Sequence, residues 1–450
     1  MTIELSSLTF TNQADIVPDS GEKAIVNTGI ANTLAGNDTI TGIGGPFNIF
    51  DPPPEGSPYG IFNSGTLNTA EGKDIITGNG GVNGIINSGT LNTAEGNDII
   101  SAQGGYYYGI DNSGTFNTGE GSDIITGNGG GVGIYNTGTF NTGNGNDVIT
   151  GTGSKSSGIF IADGSTFDTG NGHDRISGNG FYTGIRNASM TFNTGDGNDT
   201  IEGTASGSYG IENKGHINTG NGKDTIITTQ TYGGGAIGNF STIDTGDGED
   251  RITASGNLGN YGTIYTGGGD DIITAANFGQ YGTIDTGGGD DIITAAATLL
   301  NEGTINTGNG NDSIIGTQDL WIETNGTINT GDGNDTITSN NNIRNDGTIN
   351  TGNGADSIIA NGGFDGTGSV FLENGKDYLK GFGTGNFNGG NNQDTLELTS
   401  GSYTVGISGA TVSFTNSGLI METSDFEKLI AGSTTYDFTS LTDGQTIVVA

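Results

Sequence analysis

No cysteine occurs in the 450 residues, and there are only two histidines, six prolines and 12 lysines and arginines. Without thiols the chain builds neither disulfides nor thiolate metal sites, so a zinc-ribbon reading is excluded while the redox compartment stays open. The few basic residues face 50 acidic ones, for a net charge of −38, which leaves no positive footprint for nucleic acid or an anionic membrane surface. No apolar run reaches transmembrane length. The opening residues MTIELSSLTFTNQADIV carry neither the basic nor the apolar segment of a cleaved secretory leader, so none of the usual kind is expected. Cations are the partners that such a charge favours.

What the chain has in excess is glycine, 90 residues of it, and a repeat. A Gly-rich loop ending in aspartate and followed by a β-branched run recurs sixteen times, FNTGNGNDVITG at 140–151 being a clean copy. The aspartates are Asp38, Asp74, Asp98, Asp123, Asp147, Asp174, Asp199, Asp224, Asp250, Asp271, Asp291, Asp312, Asp335, Asp356, Asp377 and Asp394. Two residues after each stands Ile or Leu, which disordered acidic tracts do not arrange. A period of 20 to 27 residues predicts an all-β parallel solenoid of about fifteen turns.

One turn, GIYNTGTFNTGNGNDVITG at 133–151, gives the plan. Ile134, Phe140 and Ile149 are inward candidates, with period-2 alternation placing Thr139 and Asn141 outside, so each turn holds about three short strands. Asn136 recurs as Asn27, Asn63, Asn87, Asn112, Asn187, Asn213, Asn239, Asn260, Asn301 and Asn345, with Asp163, Gln280 and Thr324 as substitutes, and predicts an inward amide ladder. The filler column passes from Leu67 and Leu91 through Phe116, Phe140, Phe167 and Phe192 to Ile217 and its successors as the turns shorten, which predicts a narrowing core. Five of the six prolines lie in 46–58, and proline cannot join a continuous parallel ladder, so that segment is expected to protrude as an insertion. The expected division is an N-terminal cap at 1–24, a solenoid at 25–396 and a C-terminal β cap at 397–450.

A lone aspartate in a Gly-rich bend is an ordinary turn residue. Sixteen copies argue for the charge itself, because asparagine serves turns equally well and is abundant here, yet never takes this position. Stacked one turn apart, carboxylates repel by about 1 kcal/mol per neighbour in water and by several times more in a drier groove. Hard cations between loops reverse that sign, and Ca²⁺ suits sites made of carboxylate and carbonyl oxygen. Fifteen divalent ions between sixteen loops would bring the net charge from −38 to −8, ordinary for a soluble protein.

The loops resemble the RTX, or hemolysin-type, calcium-binding repeat, G-G-x-G-x-D followed by x-apolar-x, most closely in TGGGDDIIT at 266–274 and 286–294 and in GGNNQDTLEL at 389–398. The resemblance covers 30–396 and implies a β-roll in which each motif aspartate is a side-chain calcium ligand. It further implies carbonyl donors at Gly72, Gly96, Gly121, Gly145, Gly172, Gly197, Gly222, Gly248, Gly269, Gly289, Gly310, Gly333 and Gly354. Here one loop occurs per turn rather than two, so one calcium column is expected. Thr replaces the first glycine in most copies, Leu34, Ala70 and Ala94 replace the second, and the Asp377 loop has Leu372-Glu373. The 397–450 tail is similar to the C-terminal flank of bacterial, especially cyanobacterial, members. The resemblance therefore implies type I secretion by an uncleaved C-terminal signal and folding outside the cell, where calcium is abundant.

Other functions are weighed on the same residues. His173 and His216 stand apart in the repeat, no Ser/His/Asp set or H-E-x-x-H is present, and the arginines are scattered, so a polysaccharide-active β-helix enzyme is disfavoured. An outward column of Thr66, Thr90, Thr115, Thr139, Thr166, Thr242, Thr263, Thr283, Thr304, Thr327 and Thr348 offers a flat ligand-binding, adhesin or ice-binding face. Plain β-propensity at exposed strand positions also explains it. A surface role, with cell-surface components or polysaccharide as partners, completes the expectation.

Overall fold

The computed structural model describes residues 2–18, 23–45, 58–230 and 234–450. The 46–58 insertion, apart from Pro58, lies outside them. Two compact units are present, Met1–Gly246 and Asp247–Ala450. Each is a parallel β-solenoid whose strands pair with their copies one turn away, and together they contain about fifteen turns. No α-helix occurs among the described residues.

In the first unit a turn consists of three strands, such as Ile124–Gly129, Val132–Asn136 and Thr139–Asn141. Their period-2 alternation buries Ile125, Ile134 and Phe140 completely. In-register pairing sets each of these on its own copy, so the filler column runs Leu67, Leu91, Phe116, Phe140, Phe167, Phe192, Ile217, Ile243. Phe116 and Phe140 stack with ring centroids 4.6 Å apart and planes 4° from parallel. Phe167 and Phe192 instead meet edge-on at 78°, where the column changes to isoleucine. Each buried ring or isoleucine contributes roughly 1.5–3 kcal/mol.

The asparagine ladder forms as expected in most turns. Nδ2 of Asn63 donates to Asn87 Oδ1 at 2.8 Å and to the Thr90 carbonyl at 2.8 Å, and Asn87 repeats both bonds one turn on. Two substitutes are corrected. The residues that pair with Asn136 and Asn301 are Ile161 and Ile322, not Asp163 and Thr324, which are exposed. In both turns two extra residues sit in the corner between the ladder position and the following threonine, closed by Ser165 N–H to Ala162 O and by Gly326 N–H to Glu323 O. Counting back the usual three residues from that threonine therefore stops two residues short. Gln280 does occupy the ladder, accepting from Asn260 at 2.7 Å.

The second unit has the shorter turns. In two of them the first two strands fuse into one, Arg251–Asn260 and Ile272–Gln280, so the corner between them is lost. The fillers are Ile264, Ile284, Ile305, Ile328 and Ile349, followed by Val370 and Phe387. Antiparallel pairing is confined, among the described pairs, to the tail, where Gly401–Ser408, Thr411–Asn416, Leu419–Ser424 and Thr446–Val449 build a meander over buried Tyr403, Phe414, Met421 and Ile447. At the other end Thr2–Glu4 adds a parallel strand to Ala24–Asn27.

Glycine is demanded most strictly two residues before the aspartate, in fifteen of the sixteen loops, with Asn392 at φ 90° the exception. Gly145 has φ +151°, and a Cβ there would stand 1.7 Å from the Gly121 carbonyl oxygen. The position two residues earlier is also left-handed and equally close to the previous turn, a Cβ at Gly119 standing 1.8 Å from the Ala94 carbonyl oxygen. Its φ, however, can relax into the range open to other residues, and Leu34, Ala70, Ala94 and Glu373 adopt it at φ 60–67°. Gly145→Ala is thus expected to destabilise the protein by at least about 3 kcal/mol, because backbone must move in two turns. Ala94→Gly should stabilise it by up to about 1 kcal/mol by relieving a strained φ. Denaturant melts of the two variants check this, and equal, small effects would contradict it.

Candidate metal centre

Each loop places its aspartate between a tight Gly turn and the isoleucine that enters the core. The isoleucine is pulled inward, so the aspartate is carried in with it, and all sixteen carboxylates are at most 2% exposed. Their first oxygen is used by the backbone. The amide of Asp123 donates to Asp147 Oδ1 at 2.8 Å, and that of Asp147 donates to Asp174 Oδ1 at 2.7 Å. The same bond runs from Asp38 to Asp224 in the first unit, and from Asp250 to Asp394 in the second.

Two further acidic residues end these ladders and escaped the sequence reading. Asp15 donates its N–H to Asp38 Oδ1 at 2.8 Å, and Glu427 Oε2 accepts the Asp394 N–H at 2.7 Å. Neither has the glycine loop. The signal that finds them is the apolar residue two places on, Val17 and Leu429, both buried. The Asp15 carboxylate turns back to accept the Thr11 N–H at 2.8 Å, so it terminates the column rather than extending it.

The second carboxylate oxygen is the informative atom. Oδ2 of Asp74, Asp98, Asp123, Asp147, Asp174, Asp199, Asp271, Asp291, Asp312, Asp335, Asp356, Asp377 and Asp394, and of Asp38, is buried without a hydrogen-bond partner. A buried, unpaired anionic oxygen costs several kcal/mol unless it is protonated or meets a cation. Burial pushes Asp74 and Asp199 up to about 6, Asp98, Asp174, Asp271, Asp291 and Asp377 to about 7, and Asp147 to about 8. The hydroxyl of the loop threonine, Thr93 for Asp98 and Thr142 for Asp147, and then the neighbouring N–H oppose the rise without cancelling it.

Most of the nearby hydroxyls make their close hydrogen bond elsewhere. The threonine that replaces the first motif glycine points inward and donates to the next turn's threonine carbonyl, as Thr93 Oγ1 does to Thr118 O at 3.1 Å and Thr118 Oγ1 to Thr142 O at 3.3 Å. That buried hydroxyl ladder explains why these loops carry Thr. Where the residue before the aspartate is Asn, Asp, Ser or His it commonly caps the next loop, for example Asn146 Oδ1 accepting the His173 N–H at 2.8 Å. The carbonyls of Gly72, Gly96 and Gly121 face the α-carbon of the glycine one turn on, so close that no Cβ fits.

The donor chemistry therefore fits a hard divalent cation: in fourteen of the sixteen loops a buried second carboxylate oxygen makes no close hydrogen bond, beside glycine carbonyls and, as at Asp98 and Asp147, with the loop threonine hydroxyl near it. No cluster of three or more carboxylate, imidazole or thiol groups is present among the described residues, so an ion here would depend on main-chain oxygen for most of its ligands.

The outward threonines are in register, Thr66, Thr90, Thr115 and Thr139 beside Asn68, Asn92, Asn117 and Asn141. The outer asparagines bond one another, Asn117 to Asn92 at 2.6 Å. His173 accepts the Asn198 N–H through Nδ1, and His216 takes a threonine-column place, pairing with Thr242.

No family model and no curated protein matches the chain. Among solved structures it is similar to a hyperactive, Ca²⁺-dependent, β-helical antifreeze protein from an Antarctic bacterium. The two are 17% identical with a TM-score of 0.40, and the match covers 70% of this chain and 84% of that one. At that identity and score, ligand and role are read from this chain's own residues.

The raised carboxyl values fix the sign of a pH test. The metal-free folded state holds protons that the unfolded chain releases near pH 4, so its stability should fall as pH rises from about 4 to 8. Metal ligands must be deprotonated, so with saturating Ca²⁺ the trend should reverse. Melting followed by circular dichroism at pH 5 and pH 8, with EGTA or with millimolar Ca²⁺, checks both slopes, and parallel slopes in the two conditions would exclude the carboxylates as ligands.

Proposed function

We propose that the protein is a calcium-binding extracellular repeat protein, with a structural or surface role rather than a catalytic one. The observation that carries this reading is the buried second oxygen of the motif aspartates, present in loop after loop and making no hydrogen bond. Bound calcium supplies the positive charge that the stacked carboxylates lack. This chain's residues do the rest: Asp Oδ2 and the glycine carbonyls provide hard oxygen, the Oδ1 to N–H ladder holds each carboxylate in place, and the buried threonines keep water out of the interior.

Folding is then coupled to location. In a calcium-poor compartment near neutral pH the column carries unpaired or reluctantly protonated carboxyls and the stack is weak. In a calcium-rich medium binding adds to stability by mass action at each site. Export by a type I route with an uncleaved C-terminal signal belongs to the same proposal and rests on the RTX resemblance.

Asp147→Asn tests it in the middle of a ladder. The asparagine keeps an oxygen for the Asp123 N–H, so the calcium-free form should melt at or above the wild-type temperature. With millimolar Ca²⁺ the variant should bind one or two fewer ions by equilibrium dialysis and melt lower than wild type. Loss of stability to the same extent with and without calcium would return the aspartate to a turn residue.

A further inference from the structure

The first unit carries an aromatic face that calcium binding does not use. Tyr106 and Tyr107 stand on one turn, Phe181 and Tyr182 three turns further on, and they are 37%, 50%, 50% and 57% exposed. Backbone bonds link the turns, Gly131 N–H to Tyr107 O, Ser156 N–H to Gly131 O and Tyr182 N–H to Ser156 O. The two aromatic pairs therefore lie about 14 Å apart along one corner, from three ladder spacings of ~4.8 Å. Gly130, Gly131, Ser154, Lys155 and Ser156 lie between them. Mostly small residues between the exposed rings make a trough with aromatic ends, crossed by the Lys155 chain, whose ammonium lies over the Tyr106 ring.

A second row adjoins the trough. Tyr108 stacks on Tyr135 at 4.8 Å and 9°, Tyr135 stacks on Phe160 at 5.2 Å, and the Arg186 guanidinium covers Phe160 at 5.1 Å. Tyr107 touches Tyr108 at 6.0 Å, so trough and row are continuous. Exposed, contiguous aromatic surface of this kind on a soluble protein marks a binding face.

Charge narrows the occupant. The strands and corners of these four turns, 99–112, 124–136, 148–161 and 175–187, hold one acid, Asp111, against Lys155, Arg175 and Arg186, in a chain with 50 acids. Arg175 pairs with Glu202, and Arg186 with Glu212 at 3.2 Å, while Lys155 lies over the Tyr106 ring at 5.3 Å. The face is thus close to electrically neutral on a protein of net charge −38, which repels anionic polymers from every side. A partner that matches it is uncharged, lays apolar C–H faces on the rings and offers hydroxyls to tyrosine, lysine and serine.

We infer that this corner binds a neutral polysaccharide, two or three hexose rings spanning the trough between the Tyr106–Tyr107 pair and the Phe181–Tyr182 pair. The inference does not depend on calcium ligation by the aspartates, since none of its residues belongs to a loop. Affinity electrophoresis of the calcium-loaded full chain through gels containing hydroxyethylcellulose, dextran or starch tests it, with polygalacturonate as the anionic comparison. At least one neutral polymer should retard the protein. The doubly substituted Tyr107→Ala, Tyr182→Ala protein should lose at least tenfold in affinity with an unchanged melting temperature, and Tyr261→Ala, an exposed tyrosine of the second unit, should bind as wild type does. Retardation by none of the neutral polymers, stronger retardation by polygalacturonate, or sedimentation showing that the double substitution instead dissolves a dimer would each overturn it.

Discussion

In-register parallel stacking places every side chain on its own copy in the next turn, and the rest of the structure follows from that constraint. A position's chemistry becomes a column. Isoleucine on isoleucine and phenylalanine on phenylalanine gain area and dispersion. Asparagine on asparagine closes an amide ladder, because each amide is both donor and acceptor. Buried threonine hydroxyls reach the next carbonyl. Aspartate is the one recurrent residue for which stacking on itself is unfavourable, since a carboxylate only accepts. The chain satisfies one oxygen with the neighbouring N–H and leaves the other bare.

That residue is nevertheless kept in every loop, where asparagine would have joined its copies at no electrostatic cost. The conflict is local and repeated, which is how a functional requirement shows itself in an otherwise consistent fold. On the proposed reading, a cation would turn the least favourable column of the solenoid into a source of stability and make folding conditional on the medium. The aromatic corner is separate chemistry on the same scaffold, and none of its residues belongs to an aspartate loop.

Much of this was legible in the sequence because a 20–27-residue period with fixed offsets leaves few alternatives. The strand count per turn, the inward isoleucines, the filler column and the inner asparagines of most turns can be read directly. What could not be read has two causes. Counting residues assumes that corners have constant length, and the extra pairs at 162–165 and 323–326 moved the ladder position to Ile161 and Ile322. Motif matching by glycine also missed Asp15 and Glu427, which share the column without the loop, and offered no reason for the first-position threonine, whose partner is a carbonyl one turn away. The split of the chain into two compact units has no counterpart in the repeat, which runs on through residue 246 without interruption.

The central claim is that the aspartate columns hold calcium, and counting bound ions tests it most directly. Equilibrium dialysis of the full chain against millimolar free Ca²⁺, read by atomic emission, should return on the order of one ion per gap between loops, ten or more per chain. A value near zero, or one or two ions that Asp147→Asn does not alter, would contradict the account.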